Sequence, residues 1–274
     1  MKAQQTKARS TGIIRTENER RFGRWLHTPA PRPAPRLRLV CFPHAGAGSS
    51  LYHMWSRPVP EDIEVCAVQL PGRETRFREP PARRMEAVVE AVGESVASRL
   101  DVPLAIYGHS MGALLAFELA RWLRREKLRQ PVLLLLSGSP APDRARSWGT
   151  LIHRLPEKEF QEAARDIVGV QPELLDDPAT REYLLPLLRA DLELVETYDC
   201  RAEPPLTVPV TAFYGTGDLL STGEEAGRWA DHTEGPFRCV PWPGGHFYPV
   251  EDWKTFLALL LQEVMDATEQ GTVV

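Results

Sequence analysis

The chain has 274 residues, 43% of them hydrophobic, which is enough for a sizeable folded core and excludes a wholly disordered polymer. Its 33 basic and 37 acidic residues leave a net charge of -4, which argues against a general nucleic-acid binder. No run of about 18 apolar residues occurs to span a membrane, and the polar start MKAQQTKARSTGIIRTENERR has no signal-peptide core, so a cytoplasmic protein without membrane contact is expected.

Residues 1–36 are polar, arginine-rich and end in TPAPRPAPR, a composition too poor in apolar groups to order itself; a disordered basic extension is expected there. The pattern then changes. LRLVCF (37–42), EVCAVQL (64–70), PLAIYG (103–108), VLLLLSG (132–138), PVTAFYG (209–215) and FRCVPW (237–242) are short apolar runs ending near turn residues, the signature of buried strands. Residues 85–100, 111–127 and 250–267 carry apolar groups at three- and four-residue spacing and read as helices. This alternation predicts an α/β fold with a mostly parallel central sheet and helices on both faces, as one domain over 37–268 followed by a flexible tail at 269–274.

One interval, about 143–205, holds no convincing strand but does hold helical periodicity at 155–168 and at 180–198, the latter interrupted at Pro186. A structureless loop of that length is improbable in a compact domain, so an inserted helical lid is expected. Cys41, Cys66, Cys200 and Cys239 are scattered without a CxxC pair, which points to reduced thiols and to neither a zinc site nor a redox motif. No metal site is expected.

YGHSMGALL (107–115) places Ser110 between Gly108 and Gly112, after an apolar strand and at the start of a helix. The three-residue pattern alone is weak, but strand, sharp turn and helix together are what a nucleophile elbow requires, with the glycines allowing close backbone approach. A serine nucleophile needs a general base and an orienting acid, in the chain order serine, acid, histidine. His27, His44 and His53 precede Ser110, His109 adjoins it and His153 opens the lid, which leaves His232 and His246. His232 sits in a polar stretch at a helix end, whereas His246 follows the last strand in PGGHFY; His246 is the expected base. Asp218, in the turn GTGDLL at a strand's carboxyl end, is favoured as the acid over its rival Asp143. CFPHAGAGSS supplies a glycine-rich loop after the first strand, so Met111 and Ala45 are the expected oxyanion donors; the loop lacks the residues of a phosphate-binding motif. These residues make an acyl hydrolase without specifying ester, thioester or amide.

Six blocks in order carry a closer likeness: LVCFPHAGAGSS (39–50), VQLPGRETRFREP (68–80), YGHSMGALLAFELA (107–120), SGSPAP (137–142), LPLLRADLELVETY (185–198) and GPFRCVPWPGGHFY (235–248). Through them the chain resembles the stand-alone type II thioesterases of polyketide and nonribosomal peptide biosynthesis, from about Trp25 to Met265. The resemblance implies an α/β-hydrolase fold and a Ser110, Asp218, His246 triad with Met111 and Ala45 as the oxyanion hole. It also implies removal of acyl groups from the phosphopantetheine arm of acyl or peptidyl carrier proteins, with no cofactor of its own. The commoner form of the first block reads HAGGS where this chain has HAGAG, a departure that bears on the shape of the oxyanion loop. Because carrier proteins are usually acidic, Arg73, Arg76, Arg78, Arg83 and Arg84 become candidate docking residues. Apart from the resemblance, two other functions fit the same residues: a small-molecule carboxylesterase or lipase, and a catalytically silent partner-binding protein.

Overall fold

Alternate residues of LRLVCF face opposite ways, as a strand buried on both sides requires: Val40 and Phe42 join one core cluster, while Leu37, Leu39 and Cys41 join another. In the computed structural model, which describes residues 23–143, 151–166 and 170–271, this run is one strand of a seven-stranded sheet. The elements run β1 (Leu26–His27), β2 (Leu37–Phe42), β3 (Ile63–Val68), α1 (Met85–Ala97), β4 (Leu104–His109), α2 (Met111–Arg125) and β5 (Leu133–Ser137). They continue through α3 (Glu157–Asp166), α4 (Pro172–Asp176), α5 (Pro178–Glu196), β6 (Val210–Gly215), α6 (Gly223–Gly227), β7 (Phe237–Trp242), α7 (Tyr248–Glu251) and α8 (Trp253–Gly271).

Strand order is β1-β3-β2-β4-β5-β6-β7, parallel throughout except for β1, which lies antiparallel to β3 with Leu26 opposite Val68. Helices α1 and α2 bury Val88, Val92, Leu115 and Leu119 in the cluster on one face, while a 3-10 turn at Ser49–Tyr52 and helix α8 bury Tyr52, Phe256 and Leu260 in the cluster on the other. Parallel strands bring all their carboxyl ends to one edge, and that edge carries the loops that follow β2, β4, β6 and β7.

Three expectations need correction. Residues 23–36 are not an unstructured extension: Leu26 is 4% exposed, Gln69 N–H donates to the Trp25 carbonyl at 2.9 Å, and Arg32 N–H donates to Glu64 at 3.0 Å. Residues 1–22 of that segment lie outside the described residues. The expected tail at 269–274 begins later, since α8 continues to Gly271; residues 272–274 are not described. Helix α5 also runs unbroken through Pro186. A proline in a helix interior costs about 3 kcal/mol, and here Leu185, Leu188 and Leu192 offset it by packing with Phe160, Ala164 and Leu175 into a core that belongs to the lid itself.

Further contacts tie the lid helices together. Arg189 of α5 donates to the carbonyls of His153 and Leu155 at 2.6 and 2.8 Å, and Glu196 accepts from the Ile152 amide at 2.9 Å. Cys41, Cys66, Cys200 and Cys239 are all free thiols, the first two buried. Among the described residues no helix is long and apolar enough to cross a membrane.

Candidate active site

The turn from β4 into α2 is as tight as its glycines predict. Ser110 takes φ 56° and ψ −118°, a left-handed conformation that a residue with a side chain adopts at a cost of order 1–3 kcal/mol. Its N–H donates to the Ser137 carbonyl at 2.8 Å, which ties the elbow to β5. A Cβ on Gly108 would stand 1.9 Å from the Gly112 carbonyl oxygen, and one on Gly112 would stand 2.4 Å from the Phe42 carbonyl oxygen. Both positions therefore exclude side chains, and the second presses the elbow against the start of the loop after β2.

The loops after β6 and β7 are laced together by Thr216 N–H to the Trp242 carbonyl and Gly217 N–H to the Gly244 carbonyl, each 2.8 Å. They bring Asp218 to His246, with Oδ2 and Nδ1 2.8 Å apart. The Asp218 side chain is 0% exposed, and its Oδ1 accepts from Leu220 N–H at 2.8 Å, so one carboxylate oxygen is fixed by backbone and the other meets imidazole. A carboxylate on Nδ1 makes that nitrogen the proton carrier and leaves Nε2 free to act as a base. The rival acid pairs elsewhere: Asp143 meets His232 Nε2 at 3.1 Å, and that ring packs against Phe117 and Trp229. The two alternatives left by chain order thus form a pair of their own, separate from His246.

Ser110 and His246 line one small cavity, about 20 Å³, together with Met111, Leu114, Gly138, Ser139, Pro140, Val195 and Leu220. Val195 comes from α5, so the lid roofs it. The Met111 amide opens α2, where the first N–H groups of a helix have no intrahelical acceptor, and neither it nor the Ala45 N–H forms a hydrogen bond among the described residues. These two amides are free to receive a developing oxyanion.

Two further imidazoles surround His246. His109 stands 4.9 Å away between ring centroids, with Nδ1 3.0 Å from Ser137 Oγ, which in turn is 2.6 Å from the Tyr248 hydroxyl. His44 stands 5.9 Å from His109 and donates from Nδ1 to the Ala45 carbonyl at 2.9 Å. Burial pushes the His44 imidazole down to about 4 and holds His109 well below the ordinary histidine value. Both are therefore neutral at pH 7, and the sequence reading assigned neither a role.

The arginine loop divides. Arg73 is 2% and Arg76 6% exposed, so neither is available for docking. Arg73 is held bidentately by Asp191, 118 residues away, at 2.7 Å on both nitrogens. Arg76 lies over the Trp25 ring and pairs with Glu79 at 2.7 Å. Arg78, Arg83 and Arg84 are exposed, with Arg83 in an ion pair with Glu193 of the lid and Arg84 3.5 Å from Glu86. Glu74, beside Arg73, was also missed by the sequence reading: its carboxylate accepts from Ser49 Oγ at 2.7 Å and from Ser50 N–H at 3.0 Å, which pins the far end of the glycine-rich loop after β2.

The profile of the thioesterase domain family matches residues 37–262. The gramicidin S biosynthesis protein GrsT of Aneurinibacillus migulanus is 37% identical over 228 residues, 83% of this chain and 89% of that protein. Thioesterase PikA5 of Streptomyces venezuelae is 36% identical over 232 residues, 84% of this chain and 82% of that one. The solved structure of BorB, a type II thioesterase from the borrelidin biosynthetic cluster, superposes with a TM-score of 0.79 at 34% identity, covering 87% of this chain and 96% of that one.

Proposed function

The chain belongs to the thioesterase family and is a thioester hydrolase, and we propose that it releases acyl groups from the phosphopantetheine arm of carrier proteins with Ser110, His246 and Asp218 as its triad. The observation that carries the assignment is the buried Asp218 bonded to His246 Nδ1 at 2.8 Å, beside a serine held at positive φ on a strand-to-helix elbow.

In this reading Ser110 Oγ attacks the thioester carbonyl carbon while His246 Nε2 accepts its proton. The carbonyl oxygen becomes an oxyanion between the Ala45 and Met111 amides. Collapse breaks the carbon–sulfur bond, and His246 returns the proton to the departing thiolate. A thiol with pKa about 8.5 leaves far more readily than an alkoxide, so the enzyme has little need to stabilise the leaving atom. The acyl-serine ester is then attacked by water, with His246 again the base, which frees the carboxylic acid and restores Ser110. The Asp218 carboxylate keeps the imidazole in the correct tautomer and stabilises the imidazolium in both steps.

The partner expected is an acyl or peptidyl carrier protein of a polyketide or nonribosomal peptide synthase. Support comes from the type II thioesterase character of BorB and from the exposed Phe77, 57% accessible, with Arg78 stacked over its ring at 5.3 Å. Arg78, Arg83 and Arg84 retain the docking role, and Arg73 and Arg76 lose it. Hydrolysis of one acyl group presented on a carrier protein and on a small thiol tests the reading. A higher kcat/KM for the carrier-bound form is expected; equal values would count against carrier recognition.

A further inference from the structure

We propose that Asp191, carried on lid helix α5, is a positioning residue for the oxyanion donor of Ala45, so that the donor is in place only while the lid helix is seated. The proposal rests on the reading above, in which the Ala45 N–H receives the oxyanion.

His44 to Ala47 form a turn closed by Ala47 N–H to the His44 carbonyl at 3.1 Å, and Gly46, at its third position, has φ +81°. That is a type II turn, whose third residue must reach the left-handed region. Its polar backbone groups are held from several sides. The Gly46 N–H donates to Asp191 Oδ2 at 2.8 Å, Arg73 Nη1 donates to the Ala47 carbonyl at 2.9 Å, and His44 holds the Ala45 carbonyl. The Ala45 N–H has no hydrogen bond among the described residues. Asp191 therefore grips the peptide immediately after the donor, and Arg73 grips the one two peptides further on.

Asp191 and Arg73 are 1% and 2% exposed, and their two-pronged pairing neutralises both charges where water does not reach. The same helix, one turn further on, supplies Val195 to the catalytic cavity, which at about 20 Å³ holds little more than a water molecule. A shift of α5 that widens this cavity carries Asp191 away from Gly46. Leu184 and Leu188 of α5 also lie over the turn, within 4 Å of where a Gly46 side chain would begin. Lid closure and completion of the oxyanion hole are then one event, and the enzyme is idle when open. The blocks LPGRE and LRADLELVETY, far apart in sequence, meet at this pair.

Removing one charge alone would strand the other in the core, so the test removes both and varies only the acceptor for Gly46 N–H. The double variants are Arg73→Met with Asp191→Asn, and Arg73→Met with Asp191→Leu. The readouts are kcat and KM for butyryl-N-acetylcysteamine, and the affinity for propylboronic acid, whose tetrahedral adduct on Ser110 places an oxygen in the oxyanion hole. Loss of one oxyanion donor lowers kcat roughly 10²-fold. The leucine form is expected to lose about that factor in kcat and a similar factor in boronate affinity, with KM little changed, while the asparagine form keeps most of both. Equal kcat and equal boronate affinity in two folded double variants would overturn the proposal. Failure of the underlying reading is distinguishable: Ser110→Ala would then retain turnover and the wild type would not bind boronate.

Discussion

Asp218 and His246 stand on the loops after adjacent strands and meet at 2.8 Å. Asp143, the other aspartate permitted by chain order, is engaged with His232 at 3.1 Å. The substitution Asp218→Asn is therefore expected to leave the fold intact and to lower kcat by about 10⁴-fold, because an amide cannot hold the required tautomer. Asp143→Asn is expected to change kcat less than about threefold, since its partner lies outside the catalytic cavity. Steady-state kinetics of the two variants, with circular dichroism to confirm folding, decide between the carboxylates.

Gly108 and Gly112 are required by contact and not by φ. A methyl group on Gly108 would meet the Gly112 carbonyl at 1.9 Å, a backbone atom that cannot move without opening the elbow. Gly108→Ala is expected to destabilise the protein by at least about 3 kcal/mol, at the upper end of overpacking costs. Gly112→Ala, at 2.4 Å from the Phe42 carbonyl, should also displace the oxyanion loop. Urea unfolding and turnover, measured on the same samples, check both.

Charge reversal separates the arginines. Arg78→Glu and Arg84→Glu are expected to reduce hydrolysis of carrier-bound acyl groups more than of small acyl thioesters, as rim charges act on association. Arg76→Glu should lower the melting temperature instead, because it places a carboxylate beside Glu79 and removes the cation over Trp25. Equal losses on both substrates for Arg78→Glu and Arg84→Glu would remove them from the docking surface.

The buried imidazoles set a pH window for stability. The folded state holds His44 neutral down to about pH 4, while an unfolded histidine takes its proton near 6.5. The unfolded chain thus binds more protons between those values, and stability is undiminished above pH 6.5 and falls as pH drops through the window. His109 and His27, also held low chiefly by burial, act in the same direction. Glu79, held low by its hydrogen bond from Arg76, adds its loss only below about 4.5, its ordinary value. Melting temperatures recorded from pH 4.5 to 7 should rise with pH, and His44→Asn should flatten the slope; an unchanged slope would exclude His44 as a contributor.

Much of this architecture was legible in the chain because parallel strands buried on both faces are continuous apolar runs: LRLVCF and FRCVPW agree residue for residue with observed strands, and the other four expected strands differ from the observed ones by a residue or two at an end. Chain order carried Ser110 and His246 for a similar reason, since the loops at one sheet edge follow the strands in sequence. What was illegible depends on distant partners. Nothing local to RETRFREPPARR distinguishes Arg73 from Arg78; Asp191 does, from 118 residues away. Likewise β1 is two residues long and exists only by pairing with β3, and Pro186 stays helical because of leucines whose burial the lid fold creates.

The most direct measurement is the rate of acyl release by wild type and Ser110→Ala from a carrier-bound thioester, beside the matching short oxygen ester. The wild type should cleave the thioester faster than the oxygen ester, and Ser110→Ala should lose several orders of magnitude on both. Retained turnover in Ser110→Ala, or preference for the oxygen ester, would contradict the account.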